Sequence, residues 1–267
     1  NFKKGTLAEY GCAYEDCRKV KEDIIYISVT GYGQFGPYAD RPGYDPAAQA
    51  YSGYMYMNTH GEEDTPLRSP IYLADELAGM HGAASAMAAL IHRGRTGEGQ
   101  HIDVSLLDAI MDSSTGLHAL AAAGLPTPRI GNPMFFAAPT GIFACKDGYV
   151  YAGVLLDSHW KIMAKMVGRP EVADDPKYAT FPERMKRRPE VDAILGAWCA
   201  ERTRAEIVKA CEEVQIAVAP VYTPQEAVQD EHVQARQAIE NVTYPCGTEI
   251  SVTATAAKFS RTPAHHR

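Results

Sequence analysis

Apolar residues in this chain recur in two alternating rhythms, one continuous and short, the other spaced by three and four. The run Asp23-Ile24-Ile25-Tyr26-Ile27-Ser28-Val29 follows a polar helical opening and predicts a buried strand. It stops at a loop punctuated by Gly31, Gly33, Gly36 and Pro37, and Ala47 to Tyr51 then predicts a short helix. From Asp75 to Arg93, Ala or Gly occupies 78, 79, 82, 83, 84, 86, 88 and 89, with Leu77, Met80, Met87, Leu90 and Ile91 as larger packing groups. This predicts a buried helix whose small residues admit another backbone closely, ended by Gly94 and Gly97. Gly79 and Gly82 each cost about 1 kcal/mol of helix propensity, which points to crowding by a neighbouring element or a ligand.

Gln100 to Val104 predicts a second strand, and Leu106, Leu107, Ile110, Met111 and Leu117 carry helical spacing through one following helix. Pro126, Pro128, Gly131 and Pro133 then break the pattern, marking a linker over residues 126–139. Beyond it, Thr140 to Cys145 and Tyr149 to Val154 form a hairpin signal with Asp147-Gly148 at the turn. Amphipathic helices are expected over His159 to Val167, Pro189 to Cys199, Thr203 to Glu213 and Gln225 to Asp230, with a strand at Val218 to Val221. Asn241 to Lys258 returns to extended segments. The organisation is therefore a first domain over 1–125, a small mixed α/β domain over 140–225, and a return segment over 226–267.

Composition narrows the class. With 267 residues, 46% of them hydrophobic and 22% charged, the chain is long enough for one large or two modest globular domains. The net charge of −7 and scattered basic residues argue against nucleic acid as a partner. Six cysteines lack any C-x-x-C pair or Cys/His cluster, which argues against structural zinc and a disulfide framework and suggests a reducing, cytoplasmic compartment. His265 and His266 adjoin only each other, so no metal site is expected. No apolar run approaches the roughly 20 residues of a membrane span, and the start lacks a signal peptide. Without an initiating methionine, the chain reads as part of a longer polypeptide.

Asp75 is the residue with chemical promise. An aspartate at a helix start serves as an N-cap, accepting free N–H groups, or as a functional carboxylate, and local features favour the cap. Gly31-Tyr32-Gly33-Gln34-Phe35-Gly36 matches G-x-G-x-x-G after a strand, but the following Pro37 and Arg41-Pro42-Gly43 open no long helix, so a dinucleotide site is not supported. Glycines there permit close backbone approach to a ligand, and ordinary turn chemistry explains them equally well.

Taken in order, several segments resemble the class III coenzyme A transferases, the family that includes formyl-CoA transferase and carnitine CoA-transferase and also contains α-methylacyl-CoA racemase. The landmarks are Asn1-Phe2 with Gly5, Ser28 to Pro37, Arg41-Pro42-Gly43-Tyr44-Asp45 with Gln49, Ala74-Asp75 with Gly79, and Arg95 to Gln100 running into Asp103-Val104-Ser105. The resemblance covers nearly the whole chain. It implies an α/β fold with a Rossmann-like large domain, its first segment lying before Asn1, plus a small α/β domain, interlocked with a second copy in a homodimer. Coenzyme A and acyl-CoA are then substrates, a carboxylic acid the acceptor, and no prosthetic group is needed.

By the same resemblance Asp75 is the catalytic nucleophile, passing through acyl-aspartyl and aspartyl-CoA intermediates. A helix N-terminus favours its ionised form, so cap and nucleophile are compatible. Tyr44 and Gln49 fall on the substrate side. Tyr44 stands where the racemase has a histidine, and an ordinary tyrosine with a pKa near 10 is a poor proton carrier at neutral pH, which favours CoA transfer over racemisation. Asn1, Phe2, Gly5 and Tyr10 match the CoA adenine and phosphate segment, with Lys3, Lys4 and Arg41 as candidate phosphate cations, although Glu9 stands where some members carry a basic residue. In place of a glycine-rich loop the chain has Pro133-Met134-Phe135-Phe136-Ala137-Ala138-Pro139, where Phe135 and Phe136 either contact a larger, more apolar acyl group or pack in the core. Racemisation and a catalytically inactive CoA-binding fragment are the alternative functions.

Overall fold

The computed structural model describes residues 1–59, 61, 63–127, 129 and 131–264. Pro128 of the expected linker and the His265-His266 pair lie outside the described residues. The chain divides into two compact units, Asn1–Phe135 and Phe136–Arg267.

The first unit runs α1 (Thr6–Glu9), α2 (Tyr14–Val20), β1 (Ile25–Thr30), α3 (Asp45–Tyr51), α4 (Tyr54–Met57), α5 (Leu73–Thr96), β2 (Gln100–Ser105), α6 (Leu106–Asp112) and α7 (Leu117–Ala122). β1 and β2 pair in parallel, from Ile25 opposite Gln100 to Thr30 opposite Ser105. Parallel neighbours need a crossover, and α5 lies within it, so this is a β-α-β unit. The core between sheet and helices holds Ala48, Ala74, Ala78, Val104, Leu106, Ala109 and Ile110, against Ile27, Val29 and Ile102.

α5 departs from the expectation of a buried helix. Only Ala74, Ala78, Gly82 and Ala89 are buried, a narrow stripe of small side chains, while Met80, Met87, Leu90 and Ile91 are 49–61% exposed. The reason is geometric: small residues at four-residue spacing form one thin face, and that face alone meets the sheet. Gly97, with φ 79°, ends the helix as a left-handed cap, whereas Gly94 lies inside it. The single helix expected after β2 is two, because Thr115 (φ 55°) and Gly116 (φ 81°) turn the chain between α6 and α7.

The second unit contains β3 (Thr140–Cys145), β4 (Gly148–Gly153), α8 (Asp157–Met166), α9 (Phe181–Lys186), α10 (Arg188–Ala200), α11 (Arg204–Glu213), β5 (Ala217–Pro220), α12 (Pro224–Gln229), α13 (Glu231–Ala235), β6 (Ile239–Thr243) and β7 (Glu249–Thr253). β3, β4 and β5 form an antiparallel sheet, and β6 pairs with β7 as a separate hairpin. At the β3–β4 turn the two central residues are Lys146 and Asp147; Gly148 (φ 138°) opens β4 rather than completing the turn. Thr203 and Thr223 each start a helix with a reciprocal capping box to the glutamate three residues on. Trp160, Met163, Val191, Leu195 and Ile207 fill the core. Cys199 and Cys211 are buried among them, and burial pushes their thiols up to about 12 and about 11.

Buried Arg184 donates to the carbonyls of Ala138 (2.9 Å) and Tyr178 (3.0 Å) and to Asp157 Oδ1 (2.8 Å). Arg188 donates to the carbonyl of Ala137. The backbone entering β3 is thus held by two guanidinium groups. No helix among the described residues is long and apolar enough to cross a membrane.

Candidate active site

The site begins where β1 ends. Thr30 Oγ1 accepts the Gly33 N–H at 3.0 Å and Asp103 Oδ2 accepts the Gln34 N–H at 2.8 Å, so the glycine loop is tied to both strands. Gly33 adopts φ 84°, which favours glycine. A Cβ at Gly31 would lie 2.5 Å from Gly43 Cα, and one at Gly43 would lie 2.8 Å from Gly31 Cα. Two backbone segments therefore touch with no room for a side chain on either. The close approach is chain to chain, an alternative to the ligand approach and the plain turn chemistry that the sequence left equally open.

Tyr44 follows that crossing and precedes α3, with its ring 76% exposed. Asp45 and Gln49 point the other way, at 1% and 0% exposure. Asp45 Oδ1 accepts the Ala74 N–H at 2.8 Å, and its Oδ2 accepts from Gln49 Nε2 at 2.8 Å. Gln49 Oε1 in turn accepts the Ser69 N–H at 2.9 Å. This chain of bonds holds the segment leading into α5, and it supplies the cap that the sequence reading assigned to Asp75. Asp75 is instead the third residue of α5, with Tyr72 in the cap position and no side-chain cap bond.

Released from capping, Asp75 stands exposed in a cleft of about 600 Å³. Asn1, Phe2, Lys3, Lys4, Arg41 and Tyr44 line the same cleft, as does Gly79 one turn along α5. An adjoining cavity of about 250 Å³ shares Asn1 to Lys4 and adds Gly5, Ser28 and His101. There Ser28 Oγ and His101 Nε2 lie 2.8 Å apart, with the Tyr14 ring stacked on the imidazole at 5.0 Å. Tyr10 is 74% exposed and lines neither space. Gln49 lies outside the cleft lining because its amide is spent on Asp45, Ser69 and the Ile71 carbonyl. Phe135 is half-buried and Phe136 exposed, the two falling on either side of the division between the units.

The electrostatics differ from what a helix N-terminus alone implies. Partial withdrawal from water pushes the Asp75 carboxyl above the usual aspartate value, and the Asp45 carboxylate adds to the rise. In the same lining, Lys4 sits 3.7 Å from Asp40, and the Arg41 guanidinium lies over the Tyr38 ring. Among the described residues no group of three His, Cys, Asp or Glu side chains converges to hold a metal ion. Asp45 is the residue whose importance sequence reasoning missed: its partner, Ala74, is 29 positions away.

The two helix glycines separate in role. Gly82 meets Ile27 Cγ2, whereas nothing lies within 4 Å of a Cβ placed at Gly79. Gly79 thus lines the cleft beside Asp75 with open space before it, and the neighbouring element expected to crowd both glycines meets Gly82 alone. Gly79→Ala is expected to stabilise the protein by up to about 1 kcal/mol through helix propensity, because its methyl group meets nothing. Thermal denaturation checks this; a variant less stable than the parent would contradict the open position.

Comparison with known proteins identifies the family. The profile of CoA-transferase family III matches residues 1–267. The chain is 34% identical to succinate–glutarate CoA-transferase of Agrobacterium fabrum over 270 residues, covering 100% of this chain and 66% of that protein. It is 33% identical to succinyl-CoA:glutarate CoA-transferase of Mus musculus over 262 residues, covering 98% and 60%. The crystal structure of a CAIB/BAIF family protein from Brucella suis superposes with a TM-score of 0.80 at 29% identity, covering 98% of this chain and 68% of that one. The chain thus spans about two thirds of the length of the relatives it matches. With the profile matching from first residue to last, the chain belongs to CoA-transferase family III.

Proposed function

We propose that the protein moves coenzyme A reversibly between an acyl-CoA thioester and a carboxylic acid, with Asp75 as the covalent carrier. The observation that carries this reading is the placement of an exposed carboxylate, free of any capping duty, in a cleft with Tyr44 and three basic side chains. An Asp75 oxygen attacks the thioester carbonyl, the C–S bond breaks, and CoA leaves as thiolate. The thiolate then attacks the aspartyl carbonyl of the mixed anhydride, releasing the first acid and leaving an aspartyl-CoA thioester. An acceptor carboxylate attacks that thioester, displacing the thiolate, which takes the new acyl group and frees Asp75.

The raised Asp75 pKa suits this sequence. Both covalent forms are uncharged at the aspartyl carbonyl, so the desolvation that penalises the free carboxylate does not penalise them. The cations of the cleft supply charge for CoA phosphates and for carboxylates. Succinate and glutarate, named for two relatives, set the size class we carry over for the acids.

Hydroxylamine trapping of the intact protein during turnover tests the reading. An acyl-CoA should leave a hydroxamate on the peptide containing Asp75, and CoA release to solvent should stay slow until an acceptor acid is added. Acceptor-dependent exchange with no adduct at Asp75 would defeat the covalent proposal. Incorporation of α-deuterium from heavy water without any acceptor would replace it with racemisation.

A further inference from the structure

Arg41 differs from the other cations of the cleft. Its guanidinium carbon lies 3.9 Å from the centroid of the Tyr38 ring, and its Nη1 donates to the Tyr51 hydroxyl at 3.4 Å. Tyr32, Tyr38 and Tyr51 pack on one another with centroids 5.5–5.8 Å apart, so the two rings that meet the guanidinium belong to one cluster of three. The side chain is nonetheless exposed, and no carboxylate among the described residues pairs with it. Stacking uses the face of the group and leaves its edge N–H donors available in the plane. Lys4, by comparison, is drawn toward Asp40.

A planar cation lining the same cleft as the Asp75 carboxylate can take an oxyanion ligand. If one carboxylate of an acid such as succinate or glutarate, named for two relatives, reacts at Asp75, the second is carried into the same cleft, where it must exchange water for a cation. Arginine accepts a carboxylate through two parallel hydrogen bonds, and its preset plane reduces the ordering cost. We infer that Arg41 holds the distal carboxylate of the acid, so that the cleft selects dicarboxylic over monocarboxylic acids. This assignment rests on Asp75 as the acyl carrier and adds the group that reads the far end of the substrate. A CoA phosphate offers similar oxyanion chemistry, and the test separates the two sources.

The intact protein and its Arg41→Gln and Arg41→Lys variants are compared with succinyl-CoA as common donor and two five-carbon acceptors, glutarate and pentanoate. The glutarate-to-pentanoate ratio of kcat/KM should fall about 10- to 100-fold in Arg41→Gln, mainly through KM for glutarate, the scale of one lost charged hydrogen-bonding pair. Arg41→Lys should recover only part of the ratio, because an ammonium keeps the charge and loses the fork. Calorimetric titration with CoA completes the comparison. An unchanged ratio in Arg41→Gln overturns the inference. So does an equal loss for both acids accompanied by matching loss of CoA affinity, which would place Arg41 on a phosphate. Absence of transfer by the unmodified protein with either acid would refute the transferase reading itself, a result distinct from an unaltered ratio.

Discussion

Asp75→Asn is expected to lower CoA transfer by at least about 10³-fold with little change in stability. The amide matches the carboxylate in size but cannot form the anhydride. Asp75 caps nothing and stands exposed, so little in the folded state depends on its charge. Steady-state transfer and thermal denaturation read the two effects, and near-normal transfer by the variant would remove Asp75 from the chemistry. A pH profile adds an electrostatic check. The nucleophile works ionised, so kcat/KM should fall as pH drops through the Asp75 pKa, and that limb should lie above the ordinary aspartate value of 3.8. Asp45→Asn removes one of the two causes of the rise, so the acid limb should move to lower pH. The asparagine oxygen can still accept the Ala74 N–H, while its amide nitrogen replaces the oxygen that accepts from Gln49, so a loss of stability is expected alongside the loss of charge.

The second large effect is structural. Gly31→Ala places a methyl group 2.5 Å from Gly43 Cα and 2.9 Å from its carbonyl carbon, and Gly43→Ala meets Gly31 Cα and the Tyr32 ring at 2.8 Å. Backbone cannot swing away as the end of a side chain can. Each substitution should destabilise by about 3 kcal/mol or more, at the upper end of overpacking costs. Because Gly31 and Gly43 are part of the cleft wall with Arg41 and Tyr44, transfer activity should fall in the same variants even where they remain folded. Gly94→Ala is the control: nothing lies within 4 Å of its Cβ, so a helical site gains up to about 1 kcal/mol. Denaturant midpoints rank the three, and a Gly31→Ala protein as stable as Gly94→Ala would contradict the close crossing.

Secondary structure was legible wherever a local pattern was bounded by turn residues, although β1, expected to be buried, is partly exposed along its whole length. β1 and β2 appear within two residues of their hydrophobic runs, and α5 ends at the glycine whose left-handed conformation a helix cap demands. The order of short motifs from Asn1 to Ser105 was sufficient for the family, since each motif records a local requirement that survives without a structure. Interruptions were harder to see. The break between α6 and α7 rests on Thr115, an ordinary residue in a positive-φ conformation that its sequence does not announce. The reading of α5 as buried failed because periodicity identifies an apolar face without saying what covers it.

By itself, the sequence determined the strand–helix–strand framework, the family, and the identity of Asp75 and Tyr44 as residues worth bringing together, because these depend on residue type and near-neighbour spacing. Only the tertiary structure decided what each polar group does. It turned Gln49 inward to brace Asp45, gave Asp45 the cap and so left Asp75 exposed, locked Gly31 against Gly43, and stacked Arg41 on Tyr38. Those roles depend on contacts between residues up to 29 positions apart, and such partners are chosen by how the backbone folds over itself, a quantity that local pattern does not contain.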